Sequence, residues 1–235
     1  MRALRLCATG LWLLMSVAVC FALGLARGRD PSLGYVFGRM YAWGARRLLG
    51  LRVDTEGAER LAALQPCIYV INHQSNLDMA TMGILYPPRT VVIGKKQLLW
   101  FPLFGAFFWF ARNILIDRKD RTQAVGGLRK AVAALREHGW SIWTFPEGTR
   151  NKSGKGLLPF KKGPFVMAIS AQVPVVPIVS SSLPSALAAP AGSPGRRVRL
   201  RVLDPEPTAG LGAGDTAALS TRVRERMLAA LGEME

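Results

Sequence analysis

The sequence is poor in cysteine, in histidine and in acidic residues. It has three cysteines and two histidines among 235 residues, and Cys7 and Cys20 lie in an apolar N-terminal run. A small, odd number of cysteines argues against a disulfide framework and fits a reducing compartment. Because the histidines and cysteines also lack the spacing of a zinc site, we expect chemistry without a metal.

Three common catalytic or nucleotide-binding motifs are also missing. The chain has no G-x-S-x-G nucleophile elbow, which excludes the usual serine hydrolases. Residues 148–156 have the wrong glycine spacing for a P-loop, and no serine or threonine follows Lys155. The glycines within residues 210–214 follow no strand pattern, so we interpret them as a loop and not as a dinucleotide fingerprint.

Acidic residues are outnumbered by basic ones. The 31 Lys and Arg residues against 15 Asp and Glu residues give a formal net charge of +16. A field of this strength indicates an anionic partner, which is nucleic acid, an anionic bilayer or a phosphate-bearing substrate. Half of the residues are hydrophobic, and this excludes a disordered chain.

The N-terminal region predicts contact with a membrane. The run Leu6–Ala26 has 21 residues without a charge, and arginines flank it on both sides. Since about 20 apolar residues suffice for a spanning helix, we favour an anchor over a cleaved signal peptide, whose apolar core is shorter. The next segment, Pro31–Gly50, mixes aromatic residues with arginines and predicts an amphipathic helix at a bilayer surface. The basic residues after the run place that side in the cytoplasm, and whether the run spans or re-enters stays open.

The remainder of the chain predicts one α/β domain. Short apolar runs alternate with helical patterns over residues 51–235, which indicates a mixed, mostly parallel sheet flanked by helices, after a membrane-associated helical region at residues 1–50. The predicted strands are Cys67–Ile71, Thr90–Ile93, Ile114–Asp117, Ser141–Phe145, Val175–Ser180 and Arg197–Leu203. The predicted helices are Asn76–Tyr86, Arg121–His138, a short one after Gly163, and one from Asp215 to about Leu231, with a loop over Pro184–Arg196.

The middle third of the chain combines positive charge with aromatic residues. Between Lys95 and Lys162 there are 14 Lys and Arg residues against 4 Asp and Glu residues. The segment Trp100–Phe110 holds seven aromatic residues in eleven positions. Either this segment is a buried helix beside a solvated basic face, or it forms an apolar floor under a cationic pocket. The second interpretation suits a ligand with a phosphate head and an apolar tail.

The two histidines differ in their surroundings. His138 ends a predicted helix just before Gly139, a position that predicts a structural role. His73 follows the strand Cys67–Ile71 at the carboxyl end, where α/β proteins form their sites. Asp78 comes five residues later and can hold one imidazole nitrogen, so that the other nitrogen can accept a proton from a hydroxyl.

A second polar stretch, Phe145–Arg150, ends another predicted strand. Gly148 permits the close approach of a ligand, and Arg150 offers a fork of donors that matches phosphate oxygens. Glu147 either anchors that arginine or holds a substrate hydroxyl. Arg118 again follows a strand, although each arginine alone is also compatible with a solvated surface charge.

These blocks resemble, in order, those of the 1-acyl-sn-glycerol-3-phosphate acyltransferases, which belong to a superfamily marked by His-x4-Asp. NHQSNLD, with His73 and Asp78, resembles the catalytic block, and FPEGTR at 145–150 resembles the phosphate-binding block. NILIDR at 113–118 and VPVVPI at 173–178 resemble the other two blocks, and the similarity extends over roughly residues 53–179. One departure is Arg112, where bacterial relatives commonly carry glycine.

The resemblance implies transfer of an acyl chain from acyl-CoA or acyl carrier protein to the sn-2 hydroxyl of lysophosphatidic acid, which yields phosphatidic acid. The thioester is the co-substrate and no cofactor is implied. His73 is the implied general base and Asp78 orients it. The implied substrate-binding residues are Lys95, Arg118, Glu147, Gly148, Thr149, Arg150 and Lys161. The implied partners are the two substrates and an anionic membrane, without nucleic acid, at the inner membrane with the active site on its cytoplasmic face.

Two alternatives remain at this point. The first is an acyltransferase with another acceptor, either glycerol-3-phosphate or a different lysolipid. The second is a non-catalytic protein that uses its basic field to bind anionic lipid or nucleic acid. The second alternative predicts salt-sensitive binding to any polyanion and no dependence on His73.

Overall fold

The computed structural model describes residues 2–117, 120–153, 156–190 and 193–234. Its helices are α1 (Arg2–Arg27), α2 (Ser32–Leu49), α3 (Met79–Met82), α4 (Pro102–Phe110), α5 (Arg121–His138), α6 (Gly163–Ala171), α7 (Leu183–Ala188) and α8 (Thr216–Gly232). Its strands are β1 (Arg52–Glu56), β2 (Ile68–Ile71), β3 (Thr90–Lys95), β4 (Ile114–Ile116), β5 (Ser141–Thr144), β6 (Val175–Ser180) and β7 (Arg197–Val202). Short 3-10 turns lie at Ala58–Arg60, Lys96–Trp100 and Ala213–Asp215.

The strands in these residues form a single seven-stranded sheet in the order β1-β7-β6-β2-β5-β3-β4. Every neighbouring pair is parallel except β6 with β7, so the predicted mixed, mostly parallel sheet is confirmed. The carboxyl ends of β2, β5 and β3 therefore meet at one edge, which is where ligands bind in open α/β sheets.

Alternation along the strands supplies two cores, one on each face of the sheet. Tyr69 and Ile71 of β2 pack with α2, α3 and α4, while Ile68 and Val70 pack with α5, α6 and α8. Helix α2 is amphipathic, as the sequence predicts. Its apolar face, however, is not exposed as expected for a helix at a bilayer surface, because it packs into the first of these cores through residues such as Phe37. The N-terminal helices are therefore packed against the sheet domain.

Helix α1 is long and apolar enough over Ala3–Arg27 to cross a membrane, by length and composition. One face of it packs on α2 and α4, where glycines permit close contact: Gly44 faces Trp12, and Gly24 faces Phe110. The opposite face exposes leucines along the length of the helix, including Leu4 and Leu11. This outward apolar face indicates membrane association.

Three details differ from the sequence-based expectations. The helix expected at Asn76–Tyr86 is reduced to α3. Before α3 the Asp78 carboxylate accepts the backbone N–H groups of the preceding loop, and after it the N–H groups of residues 84–86 bond three residues back instead of four, as turns. The loop expected at Pro184–Arg196 begins with α7, since the Ser182 hydroxyl accepts from the Ser185 N–H and caps that helix. Strand β1 was not expected, because its alternating charges resemble an exposed loop.

Candidate active site

The exit of β2 is fixed by its neighbour β6. The Asn72 side chain donates to the Ser180 carbonyl at 2.9 Å and accepts from the Ser180 N–H at 2.8 Å. Since Asn72 is buried, these two bonds hold the chain at the point where it leaves the sheet. The following residue, His73, is thereby placed at the carboxyl edge.

His73 and Asp78 form a hydrogen-bonded pair. The Nδ1 atom of His73 lies 2.6 Å from Oδ2 of Asp78, and Asp78 is only 2% exposed. The same oxygen accepts the N–H groups of Gln74 at 2.9 Å and Ser75 at 3.1 Å. A carboxylate held in this way keeps the proton of the imidazole on Nδ1, so Nε2 is the nitrogen that can accept another proton. The Phe145 ring stacks on the imidazole at 4.1 Å and limits its rotation.

Glu147 connects the His73 loop to the segment that follows the 145–150 stretch. Its carboxylate is 2% exposed, and it accepts the His73 N–H at 2.8 Å and the Leu158 N–H at 2.9 Å. Burial raises the pKa of this carboxyl above its ordinary value, although the two backbone bonds act in the opposite direction. The interpretation of Glu147 as an anchor for Arg150 is wrong: no ion pair joins them among the described side chains, and Arg150 donates to Asn76.

The stretch after β5 turns tightly and presents its end to the same edge. Gly148 adopts a φ of 70° and donates its N–H to the Phe145 carbonyl at 3.1 Å. This left-handed conformation favours glycine. The Asn151 N–H then donates to the His73 carbonyl at 2.7 Å, so the two polar loops are tied together.

A cavity of about 410 Å³ opens between these loops and the helices α2 and α4. We call the polar residues at its mouth the polar rim: His73, Asn76, Lys95, Gly148, Thr149 and Arg150. We call the rings that line its interior the aromatic wall: Phe37, Tyr86, Phe104, Phe107, Phe108 and Trp143. The arrangement can hold a molecule with an anionic group and a hydroxyl near His73 and an apolar portion inside.

The remaining predicted substrate-binding residues have different positions. Lys161 is exposed and does not line the cavity; its backbone N–H donates to Pro146. Arg118 lies outside the described residues. The predicted aromatic segment, Trp100–Phe110, has a buried part and an exposed part. Three of its rings belong to the aromatic wall, while Trp100 and Phe101 are 80% and 65% exposed.

Two contributors were not singled out from the sequence. Asn76, which accepts from Arg150, lies between His73 and Asp78, and its place inside that block was the available signal. Phe37 belongs to α2, far from the motifs, and nothing in the sequence connects it to them. Its ring reaches the cavity because it packs 4.8 Å from Phe107.

Comparison with known proteins places this geometry in a family. The profile of the family described as Acyltransferase matches residues 52–181. The chain is 39% identical over 214 residues to the 1-acyl-sn-glycerol-3-phosphate acyltransferase of Haemophilus influenzae, covering 88% of this chain and 86% of that protein. It is 38% identical over 224 residues to the 1-acyl-sn-glycerol-3-phosphate acyltransferase alpha of Bos taurus, covering 95% and 77%.

The fold also matches a solved structure. The crystal structure of the 1-acyl-sn-glycerophosphate acyltransferase from Thermotoga maritima aligns with a TM-score of 0.74 and 24% identity, over 100% of this chain and 98% of the other. At this identity the likeness concerns the fold, whereas the sequence relatives carry the assignment. The chain belongs to the family of the 1-acyl-sn-glycerol-3-phosphate acyltransferases.

Proposed function

We propose that this protein transfers an acyl chain from a thioester donor, acyl-CoA or acyl carrier protein, to the sn-2 hydroxyl of 1-acyl-sn-glycerol-3-phosphate. The observation that supports this most strongly is the presence of His73, Arg150 and the aromatic wall in one cavity. The base and the cation match the hydroxyl and the phosphate of the acceptor, and the apolar interior matches the acyl chain of the donor. The thioester is the co-substrate, and the proposal needs no cofactor.

The reaction follows from the His73–Asp78 pair. Nε2 of His73 accepts the proton of the sn-2 hydroxyl while the oxygen attacks the thioester carbonyl carbon. The C–S bond then breaks, and the leaving thiolate takes the proton from the imidazolium. Asp78 stabilises the imidazolium between these steps, with its Oδ2 atom 2.6 Å from Nδ1. General base catalysis contributes about a hundred- to ten-thousand-fold, and positioning within the cavity supplies the remainder.

The phosphate of the acceptor binds at the polar rim. Arg150 offers a forked donor, Gly148 permits close approach, and Thr149 and Lys95 add a hydroxyl and a positive charge. Arg118 is included in this set on sequence grounds alone, because the block NILIDR at residues 113–118 resembles that of the family. Lys161 contributes to the positive field from outside the cavity.

The enzyme works at a membrane surface. The outward face of α1 and the side chains of Trp100 and Phe101 are apolar and exposed, and the chain carries a net charge of +16, which suits an anionic bilayer. Since the charges after α1 favour the cytoplasm, we assign the active site to the cytoplasmic face of the inner membrane.

The test is an acyl-transfer assay on membranes that contain the protein. Lysophosphatidic acid is incubated with labelled acyl-CoA or labelled acyl carrier protein, and the lipid product is identified. The proposal predicts labelled phosphatidic acid, and a higher rate with this acceptor than with glycerol-3-phosphate or other lysolipids. A faster reaction with one of those acceptors would replace the proposed substrate, and no transfer to any acceptor would refute the activity.

A further inference from the structure

The turn between α1 and α2 is bonded to the turn that follows α4. The Asp30 N–H donates to the Phe110 carbonyl at 2.9 Å, and Nε of Arg29 donates to the Trp109 carbonyl at 3.2 Å. In the opposite direction, Nε of Arg112 donates to the Arg29 carbonyl at 3.0 Å. We call these contacts the 29–112 latch. Bonds that run both ways between two turns hold them in one relative position.

Arg112 occupies a position that favours glycine. Helix α4 ends with the Asn113 N–H bonded to the Phe108 carbonyl and the Arg112 N–H bonded to the Trp109 carbonyl, a Schellman arrangement. Arg112 has a φ of 55°, a left-handed conformation that costs energy for any residue with a Cβ atom. Its side chain makes contacts that glycine lacks, namely the bond to Arg29 and a guanidinium 5.6 Å from the Trp140 ring.

The latch residues do not line the cavity themselves, but they adjoin it, because Asn113, the residue after Arg112, is part of its lining. The Arg112 guanidinium covers Trp140, the residue before β5, whereas His73 and Arg150 follow the carboxyl ends of their strands. Gly34, one helical turn after Asp30, lines the cavity beside the Tyr86 hydroxyl.

That hydroxyl donates to Thr90, the first residue of β3, while Lys95 ends the same strand at the polar rim. The cavity therefore runs from the polar rim towards the amino ends of the strands.

The two helices joined by the latch are those that enclose the cavity. Phe37 of α2 packs 4.8 Å from Phe107 and 6.4 Å from Phe104 of α4. Any separation of α2 from α4 at their latched ends would lengthen or widen the apolar interior between them. The latch thus controls a dimension of the cavity and not the chemistry at its mouth.

We propose that Arg112 is a positioning residue that sets the depth of the acyl cavity by fixing α2 to α4, and thereby determines which acyl-chain lengths the enzyme accepts. This inference rests on the proposed function, because it takes the occupant of the aromatic wall to be an acyl chain. The ligand class is the long-chain acyl group of the thioester donor.

The test compares two substitutions of the same type. Arg112→Gly keeps the left-handed turn and removes the latch side chain. Arg89→Gly is the matched control: Arg89 also has a positive φ, of 50°, it is exposed, and its side chain makes no hydrogen bond or ion pair with the described residues. For each variant, kcat/KM is measured in detergent with saturated acyl-CoA donors of increasing chain length.

We expect Arg112→Gly to flatten the chain-length profile. One methylene in a well-fitted apolar pocket changes kcat/KM about tenfold or more. The ratio between the preferred donor and the next longer one should therefore fall by about tenfold, with kcat for the preferred donor retained. Arg89→Gly should reproduce the wild-type profile. If Arg112→Gly does not fold, Arg29→Ala removes the bond to Trp109 and should change the profile in the same direction.

Amide hydrogen exchange supplies a readout that does not depend on turnover. Exchange of the Asp30 N–H should become faster in Arg112→Gly and stay unchanged in Arg89→Gly. An active Arg112→Gly enzyme with an unchanged chain-length profile would overturn this inference alone, whatever the exchange rate. If the wild-type protein acylates no acceptor, the proposed function fails and this inference fails with it.

Discussion

The polar rim and the aromatic wall belong to one cavity, yet they are built in different ways. The rim is held by directional bonds of defined length, such as the 2.6 Å contact between His73 and Asp78 and the 2.8 Å bond from the His73 N–H to Glu147. The wall is held by packing of rings from α2, α4, the sheet and the segment after α3, with the centroids of Tyr86 and Trp143, for example, 5.3 Å apart. Directional bonds fix the chemistry, whereas packing fixes the shape. Changes in the rim should therefore alter rate constants, and changes in the wall should alter stability and selectivity.

The largest effect should come from the rim. His73→Ala removes the proposed general base and should lower kcat by about a thousandfold, or about 4 kcal/mol, while the protein stays folded. His138→Ala is the matched control, since this histidine is exposed at the end of α5 and packs on Trp140. Purified enzymes are compared with the same acceptor and donor. Near wild-type turnover in His73→Ala would show that His73 is not the general base.

Substitutions of buried rings in the aromatic wall should lower the stability of the protein. Phe107 is 1% exposed, and Phe107→Ala should lower the free energy of unfolding by about 3 kcal/mol, because it deletes a packed ring and leaves a void. Trp100→Ala changes an aromatic residue of the same segment that is 80% exposed, so it should cost less than about 0.5 kcal/mol. Urea unfolding in detergent measures both. Equal losses of unfolding free energy in the two variants would contradict the assignment of Phe107 to the buried side and Trp100 to the exposed side of this segment.

Substitution of Glu147 measures how much its two backbone hydrogen bonds contribute to stability. Glu147→Ala leaves two backbone N–H groups without their acceptor and should lower the free energy of unfolding by about 2 kcal/mol at neutral pH. Glu137→Ala, at an exposed position on α5, is the control.

The loss should also depend on pH. Because burial raises the Glu147 pKa above its ordinary value of 4.5, the pH-dependent part of the stabilisation from this group is complete below that value and is lost as the pH rises through the raised pKa. The difference in the free energy of unfolding between the wild type and Glu147→Ala should become smaller as the pH increases over this window. A difference that widened would mean that the backbone bonds outweigh burial.

The smallest effect should come from removing the positive charge of Arg150, and it should exceed the effect of removing that of Lys161. Arg150→Ala should raise the KM for the phosphate-bearing acceptor about tenfold, or about 1.4 kcal/mol, with little change in kcat. Lys161→Ala removes a positive charge that does not line the cavity, and it should change the KM by much less. Initial rates over a range of acceptor concentrations measure both constants. Similar changes in KM for the two substitutions would indicate that the phosphate is attracted by the overall positive charge and not by direct contact with Arg150.

The polar rim was largely predictable because its members are close in sequence or follow strands. His73 and Asp78 are five residues apart, and the order of the strands brings Arg150 to the same edge as His73. The role of Glu147 was only partly predictable. Its charge suggested an ionic partner, but the folded chain directs both oxygens at backbone N–H groups of two loops.

The aromatic wall was less predictable, because burial depends on which element packs against which. Hydrophobicity alone does not distinguish Phe107, which is buried, from Trp100, which is exposed in the same segment. The participation of Phe37 required the packing of its ring on Phe104 and Phe107 of α4. The helix expected at Asn76–Tyr86 was too long, since the backbone after Met82 forms turns with bonds that span three residues instead of four.

The sequence by itself determined the α/β class, the apolar N-terminal helix and the pairing of His73 with Asp78, because periodicity and short spacing act locally along the chain. The tertiary structure alone decided which rings line the cavity, which oxygens Glu147 presents to which loop, and how Arg112 joins α4 to the turn before α2. These contacts join residues up to about eighty positions apart, and their partners are selected by the fit of helices on the sheet, which no local pattern encodes.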